Sequence, residues 1–487
     1  MEFTDAAPVV VWLPVGEGQL EPFEVFESPV LEPALQARFP MIRTWAGRSA
    51  LDPATTMRMA WGTRGLHAIV QRPGGTVLIE PWADHGGGER YISYTLAEAG
   101  LDGRPPCELP ADETGVDPSL DWLQRHTIAR GLQPRGPENL HIYRLAVATT
   151  GEFSDAHGGA GGSVANVLSA VTYIVNQVNS VMERDLGIRL MLIDETTKVF
   201  FFDGATDPYT NGSTGDMIQE NPPVLADSIG NDKFDIGHVF GTNAGGLAGV
   251  AVVCRNGKAR GVSCTFGAYS GDKFYIIVAH EMGHQLNGLH TFNKCDGENE
   301  SPSTAYEPGS GSTIMCYAGA SNCGSNYVQN IDDDYYHINS MERILYYTRE
   351  DDGATCAQVM STNNTSPEAD IPIEGGFYIP IETPFELTGV GTDADGDALT
   401  YVWEEYDLGP PTDLGQAQFG TPPIFRSVPP STSPTRTFPR YDYLVNNVNH
   451  PTEVLPTYTR ALTFRFTVRD NHAGGGSYDF DEIAFQA

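Results

Sequence analysis

The chain has 487 residues, above the size at which a single hydrophobic core stops growing, which predicts two or three domains. Apolar residues make up 40% of it and charged residues 19%, a globular composition that excludes a disordered chain. The formal net charge of -34, from 63 acidic against 29 basic side chains, repels phosphate backbones and anionic membranes and argues against nucleic acid as a partner.

No stretch approaches the roughly 20 apolar residues that span a bilayer, so membrane insertion is not expected. The amino terminus lacks the basic flank and apolar run of a signal peptide, so export is argued from the cysteines and the leader is expected to have been trimmed. Six cysteines, Cys254, Cys264, Cys295, Cys316, Cys323 and Cys356, flank one histidine motif and suggest up to three disulfides in an oxidising compartment. Six allow about 15 pairings, among which sequence does not choose. Cys107 stands apart from them.

From Pro8 to about Leu101, short apolar runs such as Leu66 to Val70 and Thr76 to Ile79 alternate with Gly and Pro and predict a β-rich leading domain. Asp102 to Glu138, rich in Pro, Gly and Asp, predicts an exposed linker. Ile142 to Ala148 predicts a strand. After it, Val164, Val167, Leu168, Val171, Ile174, Val175, Val178, Val181 and Met182 trace one helical face, with Ser163 suited to cap its start and Gly187 to end it. Strands are predicted at Ile188 to Ile193, Val199 to Phe202, Asp235 to Phe240 and Gly249 to Cys254, then a second helix from near Phe274. This order predicts a mixed sheet with helices on one face. Past Cys356, Asn363 to Glu368 predicts a linker, and the runs Phe385 to Gly389, Leu399 to Glu404 and Leu462 to Val468 predict a β-sandwich.

Residues 280 to 290 read HEMGHQLNGLH. On a helix, His280 and His284 sit one turn apart on one face, so two imidazoles meet one ion, and Glu281 beside them reaches water at the metal. A catalytic zinc takes three protein ligands and leaves a fourth position for water, whose pKa falls to about 7. For His290 to be the third ligand, the helix must stop near position 287 or 288 at a residue tolerant of positive φ, and Asn287 and Gly288 both qualify. A bare two-histidine motif arises by chance on surface helices, but the third histidine and the Asn-Gly pair argue against chance here. His238, inside a predicted strand, reads as a structural hydrogen-bonding residue and not as a ligand.

With HEMGHQLNGLHTFN at 280 to 293, EPGSGSTIMCYAG at 307 to 319 and DIGHVF at 235 to 240, the chain resembles the metzincin clan, and within it the reprolysin-like secreted bacterial metalloproteases. It departs from the clan in carrying Asn287 where a glycine usually ends the helix. The resemblance implies that Met315 packs beneath the zinc, and that Tyr317 leans toward the metal to hydrogen-bond the tetrahedral intermediate, the alternative being a core tyrosine. It implies a cleft bordered by the strand Asp235 to Phe240, along whose edge an extended substrate pairs, with Gly245 to Gly249 as upper lip.

By the same resemblance the leading region looks like a pro-domain. Its Cys107, in Arg104-Pro105-Pro106-Cys107-Glu108-Leu109-Pro110, offers a thiolate to the open metal position and so a means of latency. Glu108 stands where the cysteine switch of matrix metalloproteases has glycine, and a free structural thiol or a disulfide to another chain are the alternatives. Thr392 to Asp397 resembles the acidic loop of cadherin-like and polycystic-kidney-type sandwiches, some of which bind calcium, so Asp393, Asp395 and Asp397 are candidate calcium ligands, with an ordinary polar hairpin turn as the favoured alternative.

The expectation is therefore an α+β protein with three parts: a β-rich pro-domain and linker at 1–135, a metzincin-type domain at 136–362 with a mixed sheet, helices and zinc in a cleft, and a cadherin-like or polycystic-kidney-type β-sandwich at 363–487. The expected activity is that of a secreted, latent, monomeric zinc endopeptidase acting on proteins or peptides. A second enzyme reading takes Glu298 or Glu300 as third ligand. A third, from another class, is an adhesive protein with a catalytically inactive, structural zinc domain; Glu281 argues against it, because a structural site has no use for a base.

Overall fold

The computed structural model describes residues 9–16, 18–82, 90–99, 136, 138–158, 161–265, 273–296, 299–416 and 419–487. Seven strands come first: β1 (Val9–Pro14), β2 (Leu20–Glu27), β3 (Arg43–Ser49), β4 (Thr56–Gly62), β5 (Gly65–Arg72), β6 (Gly75–Pro81) and β7 (Tyr91–Thr95). They pair with their chain neighbours as an antiparallel meander. Alternation along the strands sorts side chains to two faces. Met57, Met59, Ala68, Val70, Val77 and Ile79 join Leu13, Phe23 and Val25 in one cluster. Ala60, Ile69 and Leu78, on the opposite face, join the core of the central region.

That region is built on β8 (Asn139–Thr149), β9 (Ile188–Leu192), β10 (Ile236–Thr242), β11 (Gly246–Ala248), β12 (Gly261–Thr265) and β13 (Gln358–Ser361), with a short helix Gly151–Gly158 and, among the described residues, four longer ones, α1 (Val164–Leu186), α2 (Thr214–Ser228), α3 (Phe274–Gln285) and α4 (Ile338–Glu350). β8 runs parallel to β9 and β10, β10 parallel to β12, and β11 is the antiparallel edge beyond β12. In α1 the Ser163 side chain accepts from the Asn166 amide and Gly187 ends the helix at φ 56°, as its sequence predicts.

Helices cover both faces of this sheet, not one. Leu145 and Val147 of β8 face the cluster that holds α1, α3 and α4, whereas Ala146 and Ala148 face Met217, Ile218 and Leu225 of α2. Two expected strands are absent. Asp194–Val199 is a 3₁₀ turn, followed by a lone bridge between Phe200 and Thr149. Gly249 to Cys254 is a loop whose amides at Ala251 and Val252 bind the carbonyls of His284 and Gln285, 3.0 Å each, and so satisfy the end of α3.

The remaining strands, β14 (Glu368–Asp370), β15 (Phe385–Thr388), β16 (Val390–Thr392), β17 (Thr400–Glu405), β18 (Thr435–Phe438), β19 (Ala461–Arg469) and β20 (Tyr478–Gln486), form three small antiparallel sheets around Trp403, Phe438, Phe464, Phe466 and Phe485. The stretch expected as a linker before them is held in place: buried Asn364 donates to Asp470 at 2.6 Å, and buried Ser366 bonds Ser477 at 2.7 Å. Buried Arg469 pairs with Asp185 at 3.2 Å, tying β19 to the end of α1.

Two disulfides form, Cys254–Cys356 and Cys295–Cys323, across separations of 102 and 28 residues. Cys264 and Cys316 remain thiols, so the upper expectation of three bridges is not met. Cys264 lies in the cluster beneath α2, and Cys316 is bonded to Glu307 and Thr291.

Candidate metal centre

α3 carries His280 and His284 on one face, and the chain must reverse after it to bring in His290. Asn287 makes that turn at φ 83°, and the amide of Gly288 closes it on the carbonyl of Gly283 at 2.8 Å. Asparagine tolerates this conformation better than other residues with a side chain. Here it is also clamped, because Arg343 donates to both its backbone carbonyl and its side-chain oxygen at 3.2 Å. A Cβ on Gly288 would meet the Gly283 carbonyl at 2.9 Å, so glycine is required by space as well.

All three imidazoles are anchored through Nδ1 to a backbone carbonyl: His280 to Ile314 at 2.7 Å, His284 to Gly288 at 2.8 Å and His290 to Asn299 at 2.8 Å. A carbonyl only accepts, so each Nδ1 holds the proton and each Nε2 presents a lone pair. The His284 Nε2 lies 3.1 Å from that of His280 and 3.2 Å from that of His290. Three lone pairs aimed at one point repel unless a cation lies between them. Tetrahedral zinc with nitrogen ligands at about 2.0–2.1 Å separates them by about 3.3 Å, so the donor set fits zinc. Burial pushes His284 down to about 4, which keeps it a neutral ligand near pH 7.

Met315 lies under this turn. A Cβ on Gly283 would come within 2.6 Å of its Sδ. Tyr317 packs edge-on to His290, ring centroids 4.8 Å apart, and its hydroxyl accepts from Asn299 at 2.6 Å. Glu281 is buried, and a Cβ on Gly246 would fall 1.9 Å from its Oε1, so only glycine lets the edge strand β11 lie against this carboxylate. The expected cleft border Asp235 to Phe240 is interior, paired on both sides by β8 and β12; the edge belongs to β11, within the run expected as the upper lip. His238 bonds Gln285 and Ser263 at 2.9 Å each, a structural role.

Sequence reasoning missed Glu307. Its carboxylate accepts from the side chains of Thr291, Ser312, Thr313 and Cys316 and from the amides of Ser312 and Thr313, joining the residue after His290 to the turn that bears Met315. Burial pushes this carboxyl up, but nearby His337 and these donors outweigh it and hold it below its usual range. A glutamate among Gly and Ser carries no pattern that announces such a role.

Of the alternative ligands, Glu300 accepts from the Cys295 amide at 3.2 Å, and Glu298 lies outside the described residues, as does Cys107. Asp393, Asp395 and Asp397 do gather, their oxygens within 4.8 Å of one another. Asp393 accepts the amides of Asp395 and Asp397, Asp395 that of Thr365, and Asp397 pairs with His472 at 2.7 Å. These bonds are those of an acidic turn.

His280, His284 and His290, whose Nε2 atoms converge, could hold a metal ion, with Glu281 beside them and Met315 beneath. Residues 140–346 match the model of the metallo-peptidase family M12B, reprolysin-like, so this segment is similar to reprolysin-like metallopeptidases. The match runs from β8 into α4 and leaves the leading meander and the last three sheets outside it. A comparison with curated proteins finds no match. Among the described residues, no helix is long and apolar enough to cross a membrane.

Proposed function

We propose that the chain is a secreted zinc endopeptidase, made latent, with His280, His284 and His290 as metal ligands and Glu281 as general base. The observation that carries this reading is the convergence of three Nε2 atoms, each set by an Nδ1–carbonyl bond, in a segment that matches a metallopeptidase family. A zinc ion there supplies Lewis-acid polarisation of a peptide carbonyl and brings the pKa of water to about 7. Glu281 takes up the proton released from water at its carboxylate and passes it to the leaving amine. β11 offers an extended peptide an antiparallel edge beside that carboxylate. The Tyr317 hydroxyl, which accepts from Asn299, has a proton of its own to donate to the developing oxyanion.

The two disulfides favour an oxidising compartment. The low exposure of His280 at 2%, Tyr317 at 1% and Glu281 at 0% is in keeping with latency. The proposed division keeps a leading β-rich part with its linker to residue 135, the peptidase part at 136–362 and a terminal β-part from 363.

Hydrolysis of a mixed peptide library, measured after a cut between residues 102 and 138, tests the reading. Cleavage that a chelator abolishes and added zinc restores is the expected result. Cleavage indifferent to chelation, or none by a cut, zinc-loaded chain, contradicts it.

A further inference from the structure

The face of β4, β5 and β6 that carries Ala60, Ile69 and Leu78 also carries Arg58, Gly62, His67, Gln71 and Thr76, by strict alternation. Each of these five meets the central region. Gly62 lies against Ser169, where a Cβ would fall 1.9 Å from its Oγ. His67 stacks on Tyr173 with centroids 4.0 Å apart. Arg58 donates to Asn176 at 2.8 Å and pairs with Glu183, which Arg189 also holds. Gln71 and Thr76 both donate to Asp334 at 2.8 Å. Ser169, Tyr173, Asn176 and Glu183 recur at helical spacing, so α1 turns an apolar face to its own sheet and a polar stripe to the meander.

A second attachment is independent of that stripe. The segment Val30–Glu32 adds to the outer edge of β9: the Leu192 amide donates to Val30 at 2.8 Å, and the Glu32 amide to Leu192 at 2.9 Å. Behind it, Val30, Leu31, Leu35, Ile42 and Leu96 are buried in the same core as α1. Departure of the meander would uncover this apolar cluster, leave the β9 edge unpaired, part Arg58 from Asn176 and Glu183, and part Asp334 from Gln71 and Thr76.

We infer that the leading meander is a resident subunit of the peptidase: after cleavage between residues 102 and 138 it stays docked on α1 and β9, and the active form is two-chained. Activation then does not proceed by shedding the meander. The inference deepens the latent-peptidase reading, but it is tested by association alone, so its failure and that of the reading are distinguishable.

The full-length Glu281→Gln chain, which cannot digest itself on that reading, is cut by limited trypsin treatment, for which Arg125 and Arg130 are available sites. Fragment masses identify the cut. In native buffer both fragments are expected to elute together at the volume of the uncut protein, and to separate only in concentrated urea. A leading fragment that elutes alone in native buffer overturns the inference. Arg58→Ala leaves Glu183 its Arg189 partner, and the uncut chain keeps its tether. The cut Arg58→Ala complex is expected to release the fragment at least tenfold faster than the cut parent. An unchanged release rate overturns the assignment of the α1 stripe as the docking face.

Discussion

Glu307 holds together two loops that the metal centre depends on, one leading out of His290 and one bearing Met315. Because its carboxylate is buried and accepts from four side chains and two amides, replacing it with glutamine removes the charge and turns part of an acceptor set into a donor. Glu307→Gln is expected to destabilise the fold by about 2–4 kcal/mol, read by denaturant unfolding. A midpoint equal to wild type would contradict the role given to it. The same scale shows what one sequence reveals about a site. The three histidines and Glu281 are legible because helix geometry fixes the spacing that two ligands on one turn must have, and because Asn287 supplies the turn that the third requires. Glu307, Asn299 and Arg343 are not legible, because their partners lie elsewhere in the chain and only folding brings them together.

Among the elements, the long periodic ones were readable. α1 follows its apolar spacing from Ser163 to Gly187, and α3 begins at Phe274 as expected. α2, which contains the helix-disfavouring Pro222 and Pro223, has no such pattern, nor do the short strands β11 and β12, whose pairing is set by partners rather than pattern. The consequence is functional: the edge beside Glu281 belongs to β11 and not to the more conspicuous β10. Gly246→Val adds a side chain where even a Cβ lies 1.9 Å from Glu281 Oε1. It is expected to lower peptide hydrolysis at least tenfold while the zinc content stays at one per chain. Full activity in this variant would show that β11 does not lie against Glu281.

At the scale of the whole molecule, the sheets are not beads on linkers. Tyr478 and Phe480 of the last strand enter the core of the central region, as do Ala60, Ile69 and Leu78 of the meander. Such shared burial depends on the shapes of distant surfaces, which composition does not encode. Buried histidines inside the central region also shape the pH response. Burial pushes His157 and His238 from 6.5 down to about 4, so between those values the unfolded chain binds protons that the folded one does not. Their contribution is complete above 6.5 and is lost as pH falls toward 4. Asp333 and Asp470, pushed up by burial to about 6 and about 7, act in the opposite sense, so a single titration curve does not isolate the histidines. A comparison does. His157→Phe is expected to lose less stability than wild type between pH 6.5 and pH 4 in thermal unfolding, and parallel curves would contradict the assignment.

The most direct test of the central claim compares wild type with Glu281→Gln, both cut between residues 102 and 138 and both assayed for zinc and for kcat/KM on one peptide substrate. Equal zinc with kcat/KM lower by about 10²–10⁴-fold in the variant is the predicted result, the loss typical of a removed general base. Equal zinc with equal hydrolysis would contradict it, and would mean that the three histidines hold a metal for structure alone.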